Sequence, residues 1–153
     1  ILVNPAFPNN QLVGVFSLEL LRLYGFLYQK TGKNFSVIHA LDGYDEISLT
    51  GTTKLVTNRG ETTLDPEDFG VQKLTASSIG GGDSVEASAK IFMNVIQGKG
   101  SESQHQVVCA NAGMAIATAL QITPKEGFEK ANESLISGKA FEALNKLQKL
   151  SAQ

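Results

Sequence analysis

Phe35-Ser36-Val37-Ile38-His39-Ala40-Leu41-Asp42-Gly43-Tyr44-Asp45-Glu46-Ile47-Ser48 joins an apolar run to a cluster of carboxylates. Phe35, Val37 and Ile38 mark the run as a buried strand. Asp42-Gly43 is a turn signal, because Gly supplies a positive φ and Asp can bond its own backbone. That turn leaves Asp45 and Glu46 beyond the carboxyl end of the strand. In an open α/β sheet this is the edge where ligands bind. Two adjacent carboxylates are hard oxygen ligands suited to Mg²⁺, which takes one or two carboxylates together with substrate phosphates. Taken alone, the pattern also fits an ordinary acidic turn.

Upstream, residues 1–10 carry two prolines and three asparagines and predict only a short extended start. Residues 11–16 then read as a short buried strand, with Gly14 allowing close backbone approach, and Ser17 as an N-cap. From Leu18 to about Lys30 the residues Leu20, Leu21, Leu23, Tyr24, Leu27 and Tyr28 recur at helical spacing, with Gly32 in the C′ position. Strand, helix and strand predict one right-handed crossover unit.

Downstream, residues 53–58 and 61–64 flank Arg59-Gly60 and predict a hairpin. Asp65-Pro66 starts a helix of one turn at most, and residues 71–74 read as extended. Gly80-Gly81-Gly82-Asp83 lacks the Walker spacing and its Lys, so it reads as a lead-in capped by Asp83 or Ser84.

The remainder is helical. Residues 84–97 place Val85, Ala89, Phe92 and Ile96 on one face. Residues 104–121 offer Val108, Ala112, Ala115, Ile116 and Ala119 for close packing, with Cys109 as a buried small hydrophobe. Thr123-Pro124-Lys125-Glu126 is a capping box that opens a helix to about Ser137. Phe141, Leu144, Leu147 and Leu150 form the stripe of a last helix. The expected class is α/β: a partial, mostly parallel sheet with a crossover helix, one β-hairpin and a helical carboxyl-terminal half.

The chain has 153 residues, 42% of them hydrophobic and 18% charged, with a net charge of −2. This fits one domain with a real core. Lys and Arg (13) are scattered and outnumbered by Asp and Glu (15), which argues against nucleic acid as a partner. No apolar run reaches the length of a membrane span. A lone cysteine forms no internal disulfide, so a reducing, cytoplasmic setting is the default. His39 and His105 are the only histidines, too few for a zinc or acyl-transfer site built on this chain. The start on Ile1-Leu2-Val3 reads as the middle of a domain, hence as a fragment.

In order along the chain, several stretches resemble the carboxyl-terminal half of the anthranilate phosphoribosyltransferase family. They are Val3-Asn4-Pro5-Ala6 with Gln11-Leu12-Val13-Gly14-Val15-Phe16-Ser17, the His39–Ser48 segment, and Asp65-Pro66-Glu67-Asp68-Phe69-Gly70. Gly81-Gly82-Asp83, Asn111-Ala112 and Ile136-Ser137-Gly138-Lys139-Ala140 complete the set. The resemblance implies Mg²⁺-dependent transfer of the phosphoribosyl group of phosphoribosyl pyrophosphate to anthranilate, in tryptophan biosynthesis. It implies Asp45 and Glu46 as the Mg²⁺ ligands and a structural role for Asp42. It places residues 1–153 in the carboxyl-terminal part of one catalytic domain of the nucleoside phosphorylase/phosphoribosyltransferase type. The family's amino-terminal helical domain, through which the complete enzyme forms a homodimer, and its glycine-rich pyrophosphate loop would both precede this chain, which alone is expected to be inactive. Two alternatives stand beside this reading: a pyrimidine nucleoside phosphorylase-like enzyme, and a non-catalytic, nucleic-acid-binding relative of the transferase.

Overall fold

The computed structural model describes residues 6–152. The Ile1-Leu2-Val3 start and the Val3-Asn4-Pro5 part of the resemblance lie outside the described residues. Four strands come first with one helix between them: β1 (Asn10–Gly14), α1 (Leu18–Gln29), β2 (Asn34–Ala40), β3 (Thr53–Thr57) and β4 (Gly60–Leu64). Short 3-10 turns at Pro66–Phe69 and Ala76–Ile79 lead to α2 (Val85–Ile96), α3 (Glu102–Leu120), α4 (Pro124–Ile136) and α5 (Lys139–Ser151).

The strands lie side by side in chain order. β1 and β2 run parallel, with Val13 opposite Val37, and α1 makes the crossover between them. β2 and β3 are antiparallel, with Ile38 opposite Leu55, and so are β3 and β4. The α/β class, the crossover and the hairpin are as expected, but the balance differs from a mostly parallel sheet. One ladder is parallel and two are antiparallel, because the connection 41–52 holds no helix and a parallel return would need one. The hairpin closes through Asn58-Arg59, one residue earlier than expected, since Thr57 pairs with Gly60.

β2 is buried on both faces. Phe35 and Val37 join Val13, Val15 and Val56 under Leu21 and Tyr28 of α1. Ile38 joins Leu55 and Leu64 under Ala110 and Met114 of α3. A strand sandwiched this way has no wet side, which is why its sequence is a nearly unbroken apolar run. Its polar residues are satisfied in place. The Ser36 and Thr118 hydroxyls lie 2.7 Å apart, and Thr118 donates its own proton to Met114 O at 2.7 Å. Ser36 is therefore the donor of that pair. His39 Nδ1 lies 2.8 Å from Val15 O, so the proton sits on Nδ1.

The caps of α1 and α4 at their amino ends are those read from the sequence, whereas α3 starts earlier than expected, on a Ser101–Gln104 box, and α1 ends on Lys30 with Gly32 two residues beyond. Ser17 accepts from Leu20 N at 3.3 Å, and Thr123 and Glu126 form a reciprocal box at the start of α4. At α2 the cap is Ser84, not Asp83.

Two helices turn a different face inward from the one expected. On α3 the buried residues are Cys109, Ala110, Gly113, Met114, Ala117 and Thr118, while Val108, Ala112, Ala115 and Ala119 are exposed. Small apolar residues surround this helix, so its period carries almost no directional information. On α2, Val85 and Phe92 are 81% and 52% exposed and Val95 alone is buried. Hydrophobic spacing marks α2's apolar face, but among the described residues no element covers it. Likewise Leu147 and Leu150 of α5 are exposed. No single described helix is long and apolar enough to cross a membrane.

α3 meets α4 glycine to glycine. A Cβ on Gly127 would stand 2.2 Å from Gly113 O, and one on Gly113 would stand 2.6 Å from Phe128 N. Gly127→Ala is therefore expected to lower stability by about 1–3 kcal/mol through overpacking, more than the gain in helix propensity returns. A urea midpoint equal to or above the wild-type value would contradict this contact.

Cys109 is 2% exposed, and burial pushes its thiol above the ordinary range. It is expected to resist an aromatic disulfide reagent in the native protein and to react at once after unfolding. Rapid native reaction would place it at the surface.

Candidate functional site

The loop 41–50 leaves β2 at its carboxyl end and is closed by backbone bonds. Gly43 N donates to Ala40 O and Ala40 N to Tyr44 O, both at 2.9 Å. Leu41 N reaches Thr52 O at 2.9 Å, which carries the β2–β3 ladder one rung further. This geometry projects residues 42–46 past the strand end, where all five are exposed. Residues 47–49 then turn back into the core and are buried.

The three carboxylates divide by what they touch. Asp42 accepts the Ser48 hydroxyl, at 3.2 Å to each oxygen, and the Thr50 hydroxyl as well. Its side chain thus braces the loop through hydroxyls six and eight residues on, and not through its own backbone as the turn signal implied. Asp45 and Glu46 are different. Neither carboxylate has a hydrogen-bond or ion-pair partner within the described residues, and both face solvent.

The backbone around them, in contrast, is held at Asp45, Ile47 and Leu49. Gly14, the last residue of β1, presses against Asp45: a Cβ there would lie 1.5 Å from Asp45 O. Ile47 N donates to Asn111 Oδ1 at 2.9 Å, and Asn111 Nδ2 donates to Ile47 O at 2.8 Å. Leu49 O accepts from Leu74 N at 2.8 Å. Leu49 itself is 1% exposed and sits at φ 58°, in the left-handed region where a non-glycine residue costs about 1–3 kcal/mol. Such a conformation persists only where the surroundings over-determine it.

A cavity of about 610 Å³ opens beside the loop, lined by Tyr44, Glu46, Gly80, Gly81 and Asn111 among others. The glycine run read as a helix lead-in therefore also walls this space. Neither its place nor that of Asn111 was evident beforehand, since both depend on contacts distant in the chain. The one local sign was an amide inside an otherwise small, apolar helix. Among the described residues no Lys or Arg lines the cavity.

The donor set bears on which ion could bind. Among the described residues no group of three or more His, Cys, Asp or Glu side chains comes together. Two free carboxylates do not make an all-protein cage. They do fit Mg²⁺, which keeps open positions for water and phosphate oxygens.

Residues 1–141 match the glycosyl transferase family, a/b domain. The chain belongs to this family. The anthranilate phosphoribosyltransferase of Christiangramia forsetii is 62% identical to it over 150 residues, 98% of this chain and 45% of the relative. That of Flavobacterium johnsoniae is 60% identical, over 98% of this chain and 46% of the relative. This glycosyl transferase a/b chain thus spans a little under half the length of the curated relatives it matches. Among solved structures, anthranilate phosphoribosyltransferase from Thermus thermophilus aligns with a TM-score of 0.77 at 29% identity, over 87% of this chain and 40% of that one. The Saccharomyces cerevisiae enzyme in complex with PRPP and Mg shares the fold, with a TM-score of 0.78 at 24% identity over 89% of this chain and 40% of that one.

Proposed function

We propose that this chain supplies the metal-holding part of an anthranilate phosphoribosyltransferase, with Asp45 and Glu46 as the Mg²⁺ ligands. One observation carries the reading: two exposed carboxylates without a partner among the described residues stand at a strand's carboxyl end, on a backbone met by Gly14 at Asp45 and anchored by Asn111 at Ile47. The high identity to relatives of that name supports the choice of reaction. So does the neighbouring cavity, because Glu46 lines it and a phosphate-bearing ligand seated beside that carboxylate needs a cation between them.

In this reading the amine nitrogen of anthranilate bonds to the anomeric carbon as the carbon–oxygen bond to pyrophosphate breaks. Bound Mg²⁺ would supply charge neutralisation for the departing pyrophosphate. Asp45 and Glu46 contribute hard oxygen ligands whose direction is preset by their backbone. Asp42 holds the loop shut through Ser48 and Thr50 and does not compete for the ion. Residues 1–153 then form the carboxyl-terminal part of one α/β catalytic domain. The remaining length of the relatives accounts for the glycine-rich pyrophosphate loop and a helical, dimer-forming domain. The setting is cytoplasmic tryptophan biosynthesis, with no nucleic acid or membrane partner.

The test is loss of anthranilate fluorescence when the full-length gene product is given phosphoribosyl pyrophosphate and Mg²⁺. Turnover that stops on chelation is expected. No turnover at any Mg²⁺ concentration would overturn the assignment.

A further inference from the structure

Asn111 is the residue whose place the function above does not explain. Asn is a poor choice inside a helix, roughly 0.7 kcal/mol below Ala, and this one stands near the middle of α3 among small residues. Its amide is nonetheless almost completely used. Oδ1 accepts from Ile47 N at 2.9 Å, while Nδ2 donates to Ile47 O at 2.8 Å and to Val107 O at 2.9 Å. Three of the four bonds a carboxamide can make are therefore formed, two of them to a single residue 64 positions away in the chain.

The residue gripped is the one directly after Glu46. Ile47 N belongs to the Glu46–Ile47 peptide, so a bond to it fixes the plane that ends Glu46's backbone, and the bond to Ile47 O fixes the next plane. An amide paired to both sides of one residue acts as a rung of sheet where no strand is present. Few other side chains do this. Asp lacks the donor, Ser lacks the second group, Gln is one methylene too long for the same seat, and Leu offers neither. Ile47 is 1% exposed, so burial in the core already anchors its side chain and needs no amide. What the amide adds is orientation of the backbone next to a carboxylate that has no partner of its own.

We infer that Asn111 is a positioning residue for the Asp45-Glu46 metal site: it sets from α3 the direction in which Glu46 presents its carboxylate. The inference rests on the metal role proposed above. Residues that orient metal ligands without touching the metal change affinity by about 10- to 100-fold when removed, and Asn111→Ala is expected to do the same.

The experiment is Mn²⁺ binding to the full-length protein in the presence of inorganic pyrophosphate, followed by electron paramagnetic resonance, well below the melting temperature. Asn111→Ala is compared with wild type, Asp45→Asn and Glu46→Gln, with far-UV circular dichroism to establish that each is folded. A folded Asn111→Ala protein whose Mn²⁺ dissociation constant rises about 10- to 100-fold supports the positioning role, because lost stability alone leaves the affinity of the folded state unchanged. If Asn111→Ala binds like wild type while the two carboxylate variants lose the ion, Asn111 is only a structural residue and the metal reading stands. If the carboxylate variants also bind like wild type, the metal reading falls and the inference with it. Should Asn111→Ala fail to fold, Asn111→Gln, which keeps the amide but displaces it, is judged by the same change in dissociation constant.

Discussion

Asp45→Asn and Glu46→Gln, each in the full-length protein, are expected to lower kcat at saturating Mg²⁺ by about 10²- to 10³-fold, the scale for losing one group that stabilises developing charge. Stability is expected to stay within about 0.5 kcal/mol of wild type, as for other surface substitutions that break no contact. The separation follows from geometry. Both side chains are exposed and free of protein partners, so the isosteric amides remove charge without leaving a buried group unpaired. Asp42 provides the contrast. Its carboxylate accepts two hydroxyls within the loop, so Asp42→Asn should cost stability as well as activity. Mg²⁺-dependent turnover and thermal melts on the same preparations check this. Near-normal turnover in both Asp45→Asn and Glu46→Gln would remove the metal role.

Gly14→Ala is expected to be as damaging by another route. An added methyl would lie 1.5 Å from Asp45 O, so either β1 or the acidic loop must move. β1 is tied along its length to β2, with Gly14 opposite Ile38, and Val15 N continues to Ile38 O at 3.0 Å. Residues 42–46 give way first, because they are solvent-exposed while Ile47 and Leu49 beyond them are anchored in the core. Overpacking of this kind costs about 1–3 kcal/mol, occasionally more. It should lower the urea midpoint and abolish Mn²⁺ binding together. A Gly14→Ala protein with the wild-type midpoint and wild-type affinity would mean that the close approach of β1 to Asp45 is not a feature of the folded protein.

What could be read in advance follows a physical pattern. Ser17, Thr123 and Glu126 were legible as caps because a cap is a contact between residues three apart. The run 35–40 was legible as a buried strand, and the place of Asp45 and Glu46 beyond its end followed from Asp42-Gly43. The packing faces of α2 and α3 were not. In α3 apolar and small residues occur all round, so nothing in the period distinguishes Gly113 and Ala117, which are buried, from Ala112 and Ala115, which are not. In α2 the apolar face was identified, but not its exposure. The direction of β3 depended on how 41–52 returns, which no local signal states. Gly14 was legible as a point of close backbone approach, but what approaches it was not: Gly14 and Asn111 meet the acidic loop 31 and 64 residues away, where periodicity has no reach.

The most direct test of the central claim is anomalous diffraction from crystals of the full-length protein grown with Mn²⁺ and phosphoribosyl pyrophosphate. A metal peak coordinated by Asp45 and Glu46 oxygens and by the pyrophosphate is expected, at roughly the 2.0–2.1 Å of a small hard divalent cation. A peak on the pyrophosphate with both carboxylates turned away, or a metal held by other residues, would contradict that claim.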